Sequence, residues 1–215
     1  NKYKVKRFHQ VSTDEVYGQL PLDDLALSFT EESPLNPTTP YSKSKKDADL
    51  LILDYIKKED IDVTISRSAN NYGIYQHPEK LIPKTVKMAL NKENITIYGS
   101  GLNIRDWLYV ADHCIAIDLI LHKGRKGEIY NVGANKEYTN IEIIKMVLNE
   151  LKIVDYNISY TNSRIHDDTR YSLNCDKIKR ELELALKFIN KKGNKQEFED
   201  YKLLNSNENH IPSIY

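Results

Sequence analysis

The 215-residue sequence is short of the features that announce several classes of protein. It holds only two cysteines, Cys114 and Cys175. They lack metal-like spacing and follow no signal peptide, so they read as free thiols in a reducing compartment and not as a disulfide framework. Neither charge sign is in excess, with 31 Lys+Arg against 31 Asp+Glu. That balance supplies no global field for nucleic acid or an anionic membrane, yet it allows a specific anionic ligand. No apolar run approaches the ~20 residues of a membrane span. The histidines His9, His77, His113, His122, His166 and His210 are scattered without ligand spacing, and no metal site is expected. No internal repeat is visible. With 40% hydrophobic and 29% charged residues the chain can bury a core and is expected to be soluble and cytoplasmic. An initiator methionine is also missing, since Asn1 leads almost at once into a strand, as though an upstream part lay outside the sequence.

What is present is an alternation of strand and helix signals. Residues 3–11 read as a strand, and 19–40 as a loop in which Pro21, Pro34, Pro37 and Pro40 forbid regular structure. From Tyr41 to Lys58 the apolar positions Ala48, Leu51, Ile52, Tyr55 and Ile56 recur at helical spacing behind a first-turn proline. A strand over 62–67 is followed by a polar loop, 68–73. Next come a helix over 82–90, a strand over 95–98, an extended stretch 105–110, a helix over 111–122 and a strand over 128–132. The capping box Thr139-Asn140-Ile141-Glu142 opens a helix over 140–151, and a strand over 157–160, a charged loop 163–171 and a helix over 176–186 complete the pattern. The alternation predicts an α/β protein with a mostly parallel sheet. Residues 190–215, rich in Asn, Lys and Glu, are expected to be weakly ordered.

Three stretches carry candidate chemistry. Thr13-Asp14-Glu15 falls where a strand should end, the place at which open α/β sheets bind ligands. The pair could open a helix through a Ser12-x-x-Glu15 capping box. It could equally be two carboxylates whose surroundings separate their pKa values, one a base and one a proton donor. Alternation along a strand would put Asp14 opposite Thr13 and Glu15, so both acids share one substrate only if the strand stops near Thr13. Tyr41 and Lys45 are one helical turn apart, and an ammonium there is expected to lower the tyrosine pKa toward a neutral-range base. Asn70-Asn71-Tyr72-Gly73 offers amides suited to sugar hydroxyls or a carboxamide, or simply a turn. Arg105, Arg164 and Arg170 could clamp a diphosphate or be solvated surface.

Five runs stand out for their order and wording: Ser12-Thr13-Asp14-Glu15-Val16-Tyr17-Gly18, Pro40-Tyr41-Ser42-x-Ser44-Lys45, Asn70-Asn71-Tyr72-Gly73, Pro78-Glu79-Lys80-Leu81-Ile82-Pro83 and Arg105-Asp106-Trp107-Leu108-Tyr109-Val110-x-Asp112-His113. Together they resemble one family, the dTDP-glucose 4,6-dehydratases of the extended short-chain dehydrogenase/reductase group. Epimerases and decarboxylases of the superfamily share the Tyr-x-x-x-Lys pair but usually lack the two acids. The resemblance implies an NAD-dependent conversion of dTDP-glucose to dTDP-4-keto-6-deoxyglucose, toward rhamnose or another deoxysugar. Tyr41 would take the 4-hydroxyl proton, Lys45 hold the cofactor ribose, Thr13 bond the C4 oxygen, Glu15 remove the C5 proton and Asp14 protonate the departing 6-hydroxyl. Asn70 would touch the sugar or phosphate and Asn71 the cofactor side. Lys80 and Leu81 would meet the diphosphate, Tyr98 the base, and Arg105, Asn131 and Arg164 the phosphates and ribose. A homodimer through helix 41–58 is also implied.

The same resemblance implies an incomplete Rossmann-like sheet over residues 1–75, a smaller α/β nucleotide-sugar domain over most of 76–186, some of whose segments return to that sheet, and a divergent tail, 187–215. The glycine-rich NAD fingerprint and the early strands, roughly 100 residues at about 30 per βαβ unit, would lie upstream. Ser163-Arg164-Ile165-His166-Asp167-Asp168 departs from the family's Asp-Arg-Pro-Gly-His-Asp, and Glu181-Leu182-Glu183-Leu184 from its Glu-Leu-Gly-Trp. A UDP-sugar 4,6-dehydratase or 4-epimerase, or a nucleotide-sugar-binding remnant without catalysis, stands as the alternative.

Overall fold

The computed structural model describes residues 5–59, 61–162 and 168–182. In chain order the elements are β1 (Phe8–Thr13), a 3₁₀ turn (Asp14–Tyr17), α1 (Pro40–Lys58), β2 (Val63–Ser68), β3 (Asn70–Tyr72), α2 (Leu81–Leu90), β4 (Ile95–Tyr98), β5 (Ile104–Tyr109), α3 (Val110–Lys123), β6 (Ile129–Val132), β7 (Glu137–Thr139), α4 (Asn140–Glu150), β8 (Ile158–Thr161) and α5 (Asp176–Leu182). They fall into two compact units. The first takes the described parts of Asn1–Asn71, Asn103–Tyr138 and Ile165–Lys187, and the second those of Tyr72–Leu102 and Thr139–Arg164.

The first unit is built on a parallel sheet ordered β1-β2-β6. β2 is buried along its whole length, as a strand flanked on both sides must be. Its register with β1 runs from Phe8 opposite Val63 to Thr13 opposite Ser68. That pairing sets the bounds of β1, which therefore starts and ends later than the apolar run 3–11 suggests. Phe8 and Val11 stand exposed while Ser12 and Thr13 are buried, so the polar end of this strand faces inward. Beneath it Val16, Tyr17, Leu108, Ala116, Ile120, Tyr130, Val132 and Ile178 share one core. A second small sheet is ordered β3-β5-β7. Its three-residue edge strands replace the loop expected at 68–73 and add a strand at 137–139, both too short for alternation to reveal.

Helix α1 begins as its sequence dictates. Thr39 caps it, accepting from the Ser42 amide at 3.0 Å while the Ser42 hydroxyl accepts from the Thr39 amide, and Pro40 occupies the first turn. Its inner face is polar, because Ser42 and Asp49 are the buried residues, whereas Leu51 is 64% and Tyr55 55% exposed. Asp49 accepts from Arg67 Nε of β2 at 3.0 Å, with both side chains buried. Arg67 also donates to the Tyr17 hydroxyl at 3.0 Å, and Tyr17 to Asn131 Oδ1 at 2.7 Å.

In the second unit α2 packs on α4, and β4 pairs in parallel with β8. Ile82, Val86, Ile95, Ile97, Ile144, Val147 and Leu148 form its buried apolar set. The capping box at Thr139 and Glu142 is present as the sequence predicts. The distal part of the expected helix 176–186 and the tail after it lie outside the described residues, as does most of the charged loop 163–171. Among the described residues no helix is long and apolar enough to cross a membrane.

Candidate active site

β1 stops at Thr13 and the chain turns at once into the 3₁₀ turn Asp14–Tyr17. The cap is Thr13 and not the Ser12 suggested by a capping-box reading: Thr13 Oγ1 accepts from the Glu15 amide at 3.3 Å and donates to Asp14 Oδ1 at 3.2 Å. Leaving strand geometry here cancels the alternation that would have put the two acids on opposite faces. Gly18 closes the turn at φ +89°, where a Cβ would lie 2.4 Å from the Asn36 carbonyl oxygen, so glycine is required twice over.

A cavity of about 260 Å³ opens against this turn, within the first unit. It is lined by Val11, Ser12, Thr13 and Asp14 from the end of β1, Tyr41 and Lys45 from α1, Ser68 to Asn71 after β2, and His113 from α3. Parallel strand ends and the first turns of the following helices converge there, the usual place for a ligand in this architecture. Four buried polar atoms of this lining have no hydrogen-bond partner: Ser12 Oγ, Asp14 Oδ2, Asn70 Oδ1 and His113 Nε2. Each would be expensive to leave unmade in a finished core, and together they fit a ligand bearing hydroxyl, amide and carbonyl groups.

The two acids differ in their surroundings. Asp14 is 2% exposed, and its pKa is raised from the ordinary value to about 8, first by burial, then by the Glu15 and Asp106 charges against a smaller pull from Arg105. It therefore holds its proton at neutral pH. Glu15 is only half-buried and contributes negative charge to that shift. Asp106 lies behind the site, accepting from the Asn135 and Lys136 amides at 3.1 and 2.8 Å, with its own pKa pushed up to about 6 chiefly by burial.

Tyr41 departs from expectation. Its pKa is raised, by burial first and then by Glu15 and Asp14, where the Tyr41–Lys45 spacing predicts a lowering. The reason is geometric: Lys45 Nζ donates to the Val11 carbonyl at 2.7 Å, and the charges that act on the phenol are those of Glu15 and Asp14.

The other expected residues divide into groups. Asn70 and Asn71 line the cavity. Asn71 Nδ2 donates to the Ala69 carbonyl at 3.1 Å, and its Oδ1 faces His113 Nδ1 at 2.9 Å. Arg105 donates to the main-chain carbonyls of Ile104, Thr169 and Asp168 and lies over the Tyr171 ring at 4.5 Å, so it ties a loop. Asn131 is a correction: it is wholly buried, its amide donating to the Phe29 and Asn174 carbonyls while its oxygen accepts from Tyr17, so no surface remains for a phosphate. Lys80, Leu81 and Tyr98 belong to the second unit, where Lys80 precedes α2 and Tyr98 ends β4 with Lys84 over its ring at 5.1 Å. Arg164 lies outside the described residues. Ser12, Ser68 and His113 are lining residues that sequence reasoning did not single out as site residues. The available signal was position, since each ends a strand or opens the next helix.

Comparison with known proteins follows the same lines. A family model described as GDP-mannose 4,6 dehydratase matches residues 1–193. The dTDP-glucose 4,6-dehydratase of Haemophilus influenzae is 44% identical over 187 residues, covering 82% of this chain and 55% of the relative. The low-salt glycan biosynthesis protein Agl12 of Haloferax volcanii is 42% identical over 175 residues, again with 81% and 55% covered. Among solved structures, a dTDP-glucose 4,6-dehydratase of Bacillus anthracis in complex with NAD superposes with a TM-score of 0.88 at 44% identity, covering 95% of this chain and 64% of that one. The chain thus spans about half the length of the curated relatives it matches.

Proposed function

Because the chain belongs to the family described as GDP-mannose 4,6 dehydratase, we propose that it carries the acid, the base and the tyrosine of an NAD-dependent 4,6-dehydratase acting on dTDP-glucose. The observation that carries this reading is the buried Asp14, which lines one cavity with Tyr41 and Lys45 and has its pKa raised to about 8 by burial and by the adjoining Glu15, itself outside the lining. A 4-epimerase needs the tyrosine and lysine alone, so a carboxylic acid kept neutral beside a second carboxylate favours elimination of water. The similarity to dTDP-glucose dehydratases supports the substrate, and a deoxysugar such as rhamnose is the proposed destination of the product.

In this reading Thr13 and Tyr41 meet the sugar C4 oxygen and Tyr41 takes its proton. NAD, when bound, would accept the hydride from C4 and return it to C6 of the dehydrated sugar, Glu15 giving its proton back to C5, with Lys45 and Asn71 as the proposed holders of the cofactor. Once C4 is a ketone, the C5 proton is acidic; Glu15 removes it, and Asp14 delivers its own proton to the departing 6-hydroxyl. Tyr41 can act as a base near neutrality only if Lys45 exchanges the Val11 carbonyl for the ligand side of the cavity, placing its ammonium against the phenol. Lys80, Leu81, Tyr98, Arg105 and Arg164 are the proposed contacts of the nucleotide, and two copies are proposed to meet through the exposed apolar face of α1, in a cytoplasmic enzyme.

The test is turnover. Incubation of the full-length protein with NAD and dTDP-glucose should give the 4-keto-6-deoxy product, the 215-residue chain alone should be inactive, and Glu15→Gln should accumulate a 4-keto intermediate with reduced cofactor. Normal dehydration by that variant would remove Glu15 from its role. Faster turnover of UDP-glucose would move the substrate, and binding of the nucleotide sugar without turnover would leave a binding module.

A further inference from the structure

His113 sits in the first turn of α3, is 7% exposed and lines the cavity, yet nothing in the reaction above uses it. Its surroundings fix which nitrogen carries the proton. Asn71 Nδ2 donates to the Ala69 carbonyl at 3.1 Å, which sets the orientation of that amide and leaves Oδ1, an acceptor only, against His113 Nδ1 at 2.9 Å. Nδ1 must therefore be the N–H. Burial, then the nearby His9, depresses the pKa of His113 to about 4, so the ring is neutral and Nε2 is a bare lone pair. His9 itself is engaged elsewhere, bonding Thr64 and Ser66 at 2.8 and 3.0 Å. Nε2 is buried with no protein partner.

We propose that His113 is a positioning residue of this cavity, locking the Asn71 amide through Nδ1 and presenting Nε2 as a hydrogen-bond acceptor to an N–H or O–H donor of the bound ligand. A primary carboxamide, as in NAD, and a sugar hydroxyl share that chemistry. The identity of the ligand rests on the functional reading above, whereas the tautomer does not. A protonated imidazole would offer a donor at Nε2 and favour ligand acceptors, so the neutral ring reverses which ligand groups the cavity accepts.

Nitrogen NMR on the histidine-labelled chain tests it, with the resonances of residue 113 assigned by their loss in His113→Asn. At neutral pH the signal should show an Nδ1–H tautomer with unprotonated Nε2, and Asn71→Ala should break that preference. An Nε2–H tautomer or an imidazolium would overturn the proposal. Saturating NAD and dTDP-glucose are then added in separate arms to the full-length protein, with binding in each arm established by calorimetry. An upfield shift of Nε2 in one arm identifies the donor, and no shift in either arm overturns the acceptor role. Absence of turnover with the expected tautomer and shift intact would instead count against the dehydratase reading alone.

Discussion

Asp14 is where function and stability oppose each other. Its folded-state pKa, about 8, lies above the ordinary carboxylate value, so the folded protein binds this proton more tightly than the unfolded chain does. Stability from this group is fully present below the unfolded pKa and is lost as pH rises toward 8. Asp14→Asn, which keeps an acceptor for Thr13 and removes the ionisation, should raise stability at neutral pH by on the order of 1–4 kcal/mol in urea unfolding, an increment that shrinks to nothing near pH 4. The same substitution should cost about 10²- to 10⁴-fold in dehydration. For the unaltered protein, kcat should fall as pH rises through about 8, when the acid loses its proton, and carbon NMR of the Asp14 carboxyl in Glu15→Gln should show its titration moved downward by removal of one of the charges that hold the proton on. Asn131 shows the limit of reading single residues: an amide in a strand suits a ligand as well as a core, and only its three buried partners decide.

Helix α1 joins the site to the sheet through polar contacts, which makes it sensitive to substitutions that its amphipathic pattern would call conservative. Thr39→Ala removes one cap and should cost about 1 kcal/mol in a denaturant titration. Asp49→Ala is expected to be far worse, about 3–5 kcal/mol, because Arg67 would remain buried without its carboxylate. Replacing both residues by apolar ones of similar volume should recover much of that loss, and thermal unfolding of the three variants would show it. The periodicity of α1 was legible because 19 residues and a first-turn proline leave little choice. Its inner face was not, since Asp49 becomes an inward residue only when Arg67 stands opposite. Likewise the Thr13-Asp14-Glu15 wording was legible, whereas the 3₁₀ turn that buries Asp14 against the cavity and leaves Glu15 outside its lining follows from β1 ending where its pairing with Ser68 ends. The lowered tyrosine pKa failed for the same kind of reason: spacing brings Lys45 onto the helix face of Tyr41 but does not keep its ammonium from the Val11 carbonyl.

For the whole molecule, the exposed Leu51 and Tyr55 make a measurable claim about assembly. The chain should sediment as a dimer, and Leu51→Asp with Tyr55→Asp should give monomers whose circular dichroism is unchanged; a monomeric parent would end the idea. The division into two units has another outcome. All the cavity residues named above belong to the first unit, while Lys80, Leu81 and Tyr98 belong to the second, which the chain enters at Tyr72 and again at Thr139. On the proposed assignment, proton chemistry and choice of nucleotide are separately transplantable, though never as one contiguous cassette. A chimera taking both 72–102 and 139–164 from a UDP-selective relative should switch nucleotide preference and keep the alkaline limb of the parent rate profile. One taking either stretch alone would split the packing of α2 against α4 and yield an unfolded hybrid. The winding of the chain thereby sets the unit of inheritance: for new specificity to be acquired by recombination, two crossover segments must travel together.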